Sequence, residues 1–406
     1  MIDPLILARG VHTAATVLAA GTVAFMALVV ELPALRRQLT VLAWIALALT
    51  ILSGIAWLVW LSADIYGAPI IAVCLHGGVW TVLTGTRFGL VWTARLGLAV
   101  LLGVLMLWPA TRLLQLAAAS CLLALIALIG HAGATPGTAG QIHLASDIVH
   151  LLAAGAWVGA LPALAMMLAG ARHDPAWGGD VVAATRRFSL LGMVSVGALL
   201  ASGIINSWNL LGGPRDLLTT DYGRLVLVKI GLFIAMVGIA SANRFHLMPR
   251  LPEAGALREL GRNSLAETAL GLCALLVVGA LGTLSPSGHA HSISTPVPAD
   301  AAFVHIHTNE AMAEVTIEPG RTGQANATIR VLREDFSEFP AKDVQLTLEA
   351  PGAGAKIARN AAHLPDGTWQ VNAVDLTQAG AWTVRVTIAP EVGEPIKLDA
   401  PIEIDR

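Results

Sequence analysis

Long apolar runs separated by short polar connections fill the first 284 residues of the chain. A run of about 20 apolar residues is long enough to cross the hydrocarbon core of a bilayer as an α-helix. Eight such runs lie at roughly Leu5–Val30, Leu39–Leu61, Phe88–Trp108, Leu113–Gly130, Ile142–Leu168, Leu190–Leu211, Arg224–Phe245 and Leu265–Leu284. The pattern predicts an all-α polytopic membrane bundle of eight transmembrane helices over residues 1–284. We detect no internal repeat in the text of this region.

After residue 284 the pattern changes twice. Residues 285–300 are rich in Pro, Ser and His, which is typical of a linker. From residue 301 to residue 406, apolar and polar residues alternate in short segments such as AEVTIEP and AWTVRVTIAP, separated by Pro, Gly and Asp. A period of two with such turns is typical of antiparallel strands. We therefore predict a small immunoglobulin-like β-sandwich over residues 301–406.

The distribution of basic residues predicts the orientation of the helices. Connections that follow odd-numbered helices carry most of the arginines, and the cytoplasmic side of a membrane protein is the side enriched in Lys and Arg. These residues are Arg36, Arg37, Arg112, Arg172, Arg186, Arg187, Arg244, Arg250, Arg258 and Arg262. We therefore expect a multi-pass protein in the lipid of the cell inner membrane, with both termini and the β-sandwich outside the cytoplasm.

The composition agrees with a membrane protein and excludes several other classes. Hydrophobic residues make up 55% of the chain and charged residues only 13%, whereas a soluble domain carries about 25% charged residues. The formal net charge of −2 gives no indication of a nucleic-acid partner. Three cysteines, an odd number that lies mostly in apolar runs, argue against a disulfide framework.

Three polar residues stand out at the start of the fifth apolar run. His143, Asp147 and His150 fall on one stripe of a helix, because they are four and three residues apart. A carboxylate within a membrane helix is costly unless it is paired or solvated, so it indicates a functional site by default. His and Asp at this spacing can also reach a common point, as metal ligands must. The alternative is that these side chains only join helices through polar bonds.

The predicted depth of the other histidines extends this picture. His12 in the first helix and His150 in the fifth are expected at nearly the same depth below the outer surface, and His131 marks the outer end of the fourth helix. Ten of the twelve histidines fall on the outer side or in the outer half of the bundle. Imidazole nitrogens favour copper above the other common divalent metals. We therefore predict a copper site built from His12, His150, His143, Asp147 and His131.

Two other interpretations of the same residues stay open. If Arg95 or Lys229, which lie inside the third and seventh helices, pairs with Asp147, the carboxylate becomes a counter-ion instead of a metal ligand. Two histidines at equal depth on different helices are also what bis-imidazole haem ligation requires, so His12 and His150 would then hold haem b in a membrane oxidoreductase. A third hypothesis makes the protein a scaffold or assembly factor that delivers copper through its sandwich.

Helices five to eight resemble the copper resistance protein D (CopD) family. The resemblance covers roughly residues 147–284 and rests on several short stretches in order. These are HLLAAGAWVG from His150, RFS from Arg187, Ser202–Gly203 with Asn206 and Trp208, Thr220 with Tyr222, Arg224 and Lys229, Asn243–Arg244, PRL from Pro249, and Glu267. The first four helices resemble the family through His12 and TRFG from Thr86.

The resemblance implies an inner-membrane protein that moves copper, in uptake from periplasm to cytoplasm, alongside a periplasmic copper-binding protein. It implies no enzymatic activity and carries over no complete ligand set; among the predicted ligands only His150 stands in the well-matched text. The C-terminal sandwich is similar to YtkA/FixH-like domains, through GTWQ from Gly367 and GAWTV from Gly380.

Overall fold

The computed structural model describes most of the chain. The described residues are 4–30, 32–66, 68–129, 137–211, 213–251, 253–282, 284, 298, 300–307, 311–333, 338–350, 356–390 and 393–405. The chain divides into two compact units, a helical one before residue 292 and a β one from residue 292 onward.

Twelve α-helices form the described part of the first unit. They are α1 (Pro4–Leu28), α2 (Pro33–Tyr66), α3 (Ile70–Leu75), α4 (Gly78–Gly85), α5 (Arg87–Met106), α6 (Arg112–Ala124), α7 (Gly137–Trp157), α8 (Leu161–His173), α9 (Gly178–Leu210), α10 (Asp216–Thr219), α11 (Asp221–Ala242) and α12 (Ala254–Leu281). A π-helical turn, Asn243–Leu247, continues α11.

Eight helical segments of the described chain are long and apolar enough to cross a membrane, which confirms the predicted number. They are Pro4–Leu28, Pro33–Tyr66, Phe88–Met106, Pro109–Leu128, Gly140–His173, Gly178–Leu210, Asp221–Arg250 and Ala254–Leu281. Several are longer than the apolar runs because polar turns at either end continue the helix.

The fifth span is broken in the middle, which the continuous apolar pattern did not indicate. Helix α7 ends at Trp157, a 3₁₀ turn covers Val158–Ala160, and α8 begins at Leu161. Pro162 lacks the N–H that would bond back to Val158, so the regular hydrogen-bond ladder cannot pass this point. The break lies one turn beyond the stripe of polar residues on α7 and allows the two half-helices to take different directions.

The third and seventh spans begin with the same local structure. Thr86 Oγ1 accepts a hydrogen bond of 3.0 Å from the backbone N of Gly89, and Thr220 Oγ1 accepts one of 3.0 Å from Gly223. Such a side-chain cap satisfies an N–H that has no partner within the helix. A Cβ on either glycine would collide with the backbone of the preceding short helix. Both turns therefore require glycine, and both fix the start of a span.

The second unit consists of two antiparallel sheets, as predicted. The strands are β1 (Ala302–His307), β2 (Met312–Glu318), β3 (Gly323–Leu332), β4 (Ala341–Glu349), β5 (Lys356–Asn360), β6 (Ala362–His363), β7 (Trp369–Leu376), β8 (Gly380–Pro390) and β9 (Ile396–Ile404). One sheet has the order β1-β2-β3-β7-β6 and the other β5-β4-β8-β9. Alternate residues of both sheets form one buried core, which includes Val315, Ile329, Val384 and Trp382.

Candidate functional site

His150 lies in a polar cluster between α7, α9 and α11. Its Nδ1 is 2.9 Å from Ser202 Oγ, and Ser202 Oγ itself donates to the carbonyl of Ala198 at 2.6 Å. Since the serine proton is used for that carbonyl, Nδ1 of His150 carries the imidazole proton. The lone pair is then on Nε2, which lies 3.3 Å from Nζ of Lys229. The ring thus presents its metal-binding nitrogen to a cationic side chain.

Asp147 belongs to the same cluster, one turn before His150. Its Oδ1 accepts a hydrogen bond of 3.3 Å from Nδ2 of Asn206, and its carboxylate interacts electrostatically with Lys229. The other amide atom, Oδ1 of Asn206, is buried and has no hydrogen-bond partner within the described residues. A buried acceptor without a partner costs free energy and is a position where a ligand can bind. The cluster therefore offers an imidazole nitrogen, a carboxylate and an unused amide oxygen.

His12 lies in a second cluster, between α1, α2 and α5. Its Nδ1 donates to the carbonyl of Thr50 at 3.0 Å and is 3.3 Å from Ser53 Oγ. Its Nε2 accepts from Nη2 of Arg95 at 2.6 Å, and Arg95 also donates to the carbonyl of Leu122. The imidazole is 3% exposed. As at His150, the unprotonated nitrogen faces a permanent or potential cation.

The two clusters correspond contact by contact. His12 lies against Gly54 and bonds to Ser53, whereas His150 lies against Gly203 and bonds to Ser202. Arg95 and Lys229 each follow the capping threonine of their helix by nine residues. These matched contacts show that spans one to four and five to eight are two copies of one unit, so our expectation of no internal repeat was wrong. With four spans in each unit, the copies have the same orientation and are related by an axis along the membrane normal.

The two units meet at equivalent glycines, and this contact separates the two histidines. A Cβ on Gly21 would collide with the backbone of Gly159, and one on Gly159 with the carbonyl of Val17. His12 precedes Gly21, and His150 precedes Gly159, by nine residues. Nine residues turn a helix by about 900°, or half a turn beyond two full ones. Each histidine therefore lies on the face of its helix that is turned away from the other unit.

This arrangement corrects two expectations for His12 and His150. The residues do not share an ion, because they have no common partner and face in opposite directions. Nor do they form a pair of axial haem ligands. The cavity beside His12 has a volume of about 20 Å³, which is room for a water molecule or a small ion. Equal depth in the bundle was a correct guide to their equivalence and a wrong guide to their proximity.

The remaining predicted ligands do not complete a larger metal shell. His143 is buried, with 2% exposure, on the same stripe of α7 as Asp147 and His150. His131 lies outside the described residues. Among the residues that the structure describes, no three His, Cys, Asp or Glu side chains come close enough together to hold a metal ion. A copper ion at His150 would therefore be held by few protein ligands, with amide or hydroxyl oxygens beside them.

Comparison with known sequences assigns both halves of the helical unit. The sequence model of copper resistance protein D matches residues 182–281, and that of the copper resistance protein D-like N-terminal domain matches residues 1–141. Copper resistance protein D of Pseudomonas syringae pv. tomato is 34% identical over 224 residues, which cover 52% of this chain and 72% of that protein. The chain belongs to the copper resistance protein D family.

Two other relatives of this family extend the comparison. Inner membrane protein YebZ of Escherichia coli is 35% identical over 215 residues, 51% of this chain and 72% of that protein. Copper transport protein CutJ of Bacillus subtilis is 28% identical over 272 residues, 64% of this chain and 46% of that protein. No solved structure matches the chain. The resemblance noted from the sequence is thus confirmed, and the family consists of membrane copper resistance and transport proteins.

In this copper resistance protein D family member, sequence reasoning missed the partners that define each cluster. Ser202 and Asn206 were noted only as part of the resemblance, and Ser53 was not noted at all. A signal was present, because a Ser-Gly pair recurs in the second and sixth spans and a Thr-x-x-Gly turn recurs before Arg95 and Lys229. The different lengths of the connections kept these short matches out of a single register.

Proposed function

We propose that this protein carries copper ions across the inner membrane, from the periplasm to the cytoplasm, and that the ion binds in the cluster of Asp147 and His150. The observation that carries the proposal is the orientation of His150. Its Nδ1 proton is used by Ser202, and its lone pair on Nε2 is directed at Lys229 inside a membrane span. Neutral imidazole with the other nitrogen hydrogen-bonded is the usual form of a metal-binding histidine.

The cluster exchanges one cation for another. Without copper, the ammonium of Lys229 lies at Nε2 of His150 and balances the charge of Asp147. An arriving copper ion takes both places, and repulsion between like charges drives Nζ of Lys229 away. Helix α11 permits such a displacement, since only 6% of its most apolar window is buried inside the bundle. The buried oxygen of Asn206 is available as a further ligand.

The driving force follows from the charge of the ion. The chain contains no phosphate-binding GxxxxGK[ST] motif, so nucleotide hydrolysis does not enter the proposal. The membrane potential contributes about 2.3 kcal/mol per elementary charge per 100 mV and favours inward movement of a cation. Uptake is therefore the direction that the potential supports.

His12 is the corresponding histidine of the first unit, and its role as a ligand stays a prediction. Arg95 is anchored by the carbonyl of Leu122 as well as by His12, so its guanidinium has a second reason to remain in place. The residue of this unit that corresponds to Asp147 is Arg9, which lies over the ring of Trp57 at 5.3 Å. A cluster with two arginines and no carboxylate repels a cation. We therefore assign copper binding to the second unit.

Copper uptake into proteoliposomes tests this function. The full chain is reconstituted, copper is added outside, a negative internal potential is imposed, and internal copper is measured with a trapped chelator. We expect His150→Ala and Asp147→Asn to lower the initial rate at least tenfold. The exposed His246 provides the control, since His246→Ala removes an imidazole outside the cluster and should leave the rate unchanged.

Two outcomes would contradict the proposal. Equal uptake by wild type and His150→Ala would remove the ion from this cluster. Absence of uptake by wild type, together with copper binding to the β unit, would favour the delivery scaffold over the transporter. Reversing the potential separates uptake from export, because a protein that only exports copper would fill the vesicles when it is reconstituted in the opposite orientation.

A further inference from the structure

Glu267 is a buried carboxylate at the end of the second unit that lies opposite His150. It is 2% exposed, on α12. Its Oε1 accepts a hydrogen bond of 2.7 Å from Nδ2 of Asn243, and Oδ1 of Asn243 accepts one of 2.7 Å from Nδ2 of Asn263. The two amides thus hold each other in one orientation and direct an N–H at the carboxylate. Asn243 follows Lys229 by 14 residues, which places the two ends about 20 Å apart along α11.

No described Lys, Arg or His forms an ion pair with Glu267. The helices packed against α12 are α1, α8 and α11 with its π-turn. In the part of α1 that faces Glu267 there is no titratable residue. Arg244 of the π-turn donates instead to Ser189 Oγ at 2.6 Å. The other titratable or charged side chains at this end of the packed elements are Arg172, His173, His246 and Arg250, all of which are exposed. The carboxylate is therefore neutralised by a group that is mobile, such as a proton or a passing cation.

The first unit shows which residue would suffice for structure alone. Gln115 precedes Cys121 by six residues, as Glu267 precedes Cys273, and both side chains bond to the end of the preceding span. Nε2 of Gln115 donates to the carbonyls of Leu105 at 3.0 Å and Trp108 at 3.2 Å. A neutral amide thus fixes this corner of the first unit. In the second unit a carboxyl takes the same place, although its ionised form is costly in an apolar environment.

Other positions diverge between the units in the same sense. The first unit has Arg9, Arg95 and Gln115, whose charge state is fixed, where the second has Asp147, Lys229 and Glu267, which can gain or lose a proton. Between the two ends of the second unit lies an apolar layer. In it, the rings of Trp157 and Phe233 pack edge to face at 6.2 Å, and Met236 is buried. Ionisable groups at both ends of an apolar layer are the arrangement of a proton-coupled carrier.

We propose that Glu267 is a proton-binding site, and that release of its proton is coupled to the passage of copper through the second unit. When the Asp147 cluster is free of copper, the carboxyl of Glu267 holds a proton and resembles Gln115. When copper arrives at the Glu267 end, the O–H bond breaks, the proton leaves to the adjacent water, and the cation balances the carboxylate. No oxidation state changes. This coupling rests on the proposed transport of copper, but the site itself does not.

Infrared difference spectroscopy of the purified full chain tests the site without transport. The spectrum is recorded before and after copper is added, and the carbonyl stretch of a protonated carboxylic acid is followed. We expect wild type to lose this band on addition of copper. Glu267→Gln should abolish the change, and Glu267→Asp should keep it at a shifted frequency. Glu259 lies two turns earlier on α12 and is exposed, so Glu259→Gln is the matched control and should behave as wild type.

The same variants in proteoliposomes test the coupling. Wild type should move protons outward while copper enters, seen with a trapped pH dye, and Glu267→Gln should reduce the proton flux at least tenfold. An unchanged infrared band or an unchanged proton flux in Glu267→Gln would overturn the proposal. If wild type takes up no copper but its infrared band responds through Glu267, transport is wrong and the proton site stands. Circular dichroism and thermal unfolding verify that each variant is folded.

Discussion

At the scale of single residues, the main result is that both buried imidazoles have the same tautomer. Nδ1 of His12 faces a carbonyl and Nδ1 of His150 faces a hydroxyl whose proton is used elsewhere, so both lone pairs lie on Nε2. In each cluster a basic side chain occupies the position that a metal would take. Whether copper can bind therefore depends on how firmly that side chain is held. Lys229 has a flexible stem, while the planar guanidinium of Arg95 is fixed by two acceptors.

Removing the competing ammonium should strengthen copper binding. Lys229→Met keeps an apolar side chain of similar length and leaves Asp147 and His150 in place. We expect the affinity for copper to rise roughly tenfold, which corresponds to about 1.4 kcal/mol. Isothermal titration of the purified protein measures the affinity. A fall in affinity would show that Lys229 supports the site and does not compete with the ion.

Loss of the hydroxyl that orients His150 should have the opposite effect. Ser202→Ala leaves the Nδ1 proton of His150 without its acceptor, and substitutions of this kind usually lower metal affinity about 10- to 100-fold. Ser53→Ala makes the matching change beside His12, where the carbonyl of Thr50 remains as an acceptor. We expect Ser53→Ala to leave the copper affinity unchanged. Equal losses in the two variants would contradict the assignment of copper to the second unit.

At the scale of helices, the two units pack through a close glycine contact. Gly159→Ala places a methyl group against the carbonyl of Val17. Such overpacking typically costs about 1–3 kcal/mol. Gly197 in α9 has open space around it, so Gly197→Ala should be neutral or stabilise by up to about 1 kcal/mol. Thermal unfolding in detergent compares the two variants. An unfolding temperature for Gly159→Ala equal to that of wild type would show that this contact is not tight.

The sequence was a good guide to these helices and a poor one to their neighbours. Run length and hydropathy depend on the membrane alone, so all eight spans were found. The 3₁₀ turn at Val158–Ala160 was missed because its residues are as apolar as their surroundings, and only Pro162 marks it. The separation of His12 from His150 depends on which faces of α1 and α7 meet, and that is decided by Gly21 and Gly159. Small residues within an apolar run carry this information without altering its hydropathy.

At the scale of the whole molecule, one unit was duplicated and its copies then diverged. The copies retain the histidine, the Ser-Gly pair and the capped third span, which are needed to hold an imidazole inside a membrane bundle. They differ in charge, as Arg9 and Asp147 show most clearly. The duplication could not be predicted from the text, because equivalent residues are separated by 134 to 152 positions in different helices. It became visible through the contacts that equivalent residues make.

The orientation of the chain in the membrane is open to a direct test. The arginine distribution predicts that both termini lie outside the cytoplasm. Alkaline phosphatase is active only after export, so a fusion after Arg406 should be active, and a fusion after Arg250 in the connection between spans seven and eight should be inactive. The opposite activities would reverse the predicted orientation and, with it, the depth assigned to every polar residue.

The measurement that tests the central claim most directly is X-ray absorption at the copper edge on the purified, copper-loaded protein. If the ion binds in the cluster of the second unit, the spectrum of wild type shows imidazole scattering. This scattering disappears in His150→Ala and persists in His12→Ala. Persistence of the imidazole signal in His150→Ala, or its loss only in His12→Ala, would contradict the assignment of the copper site.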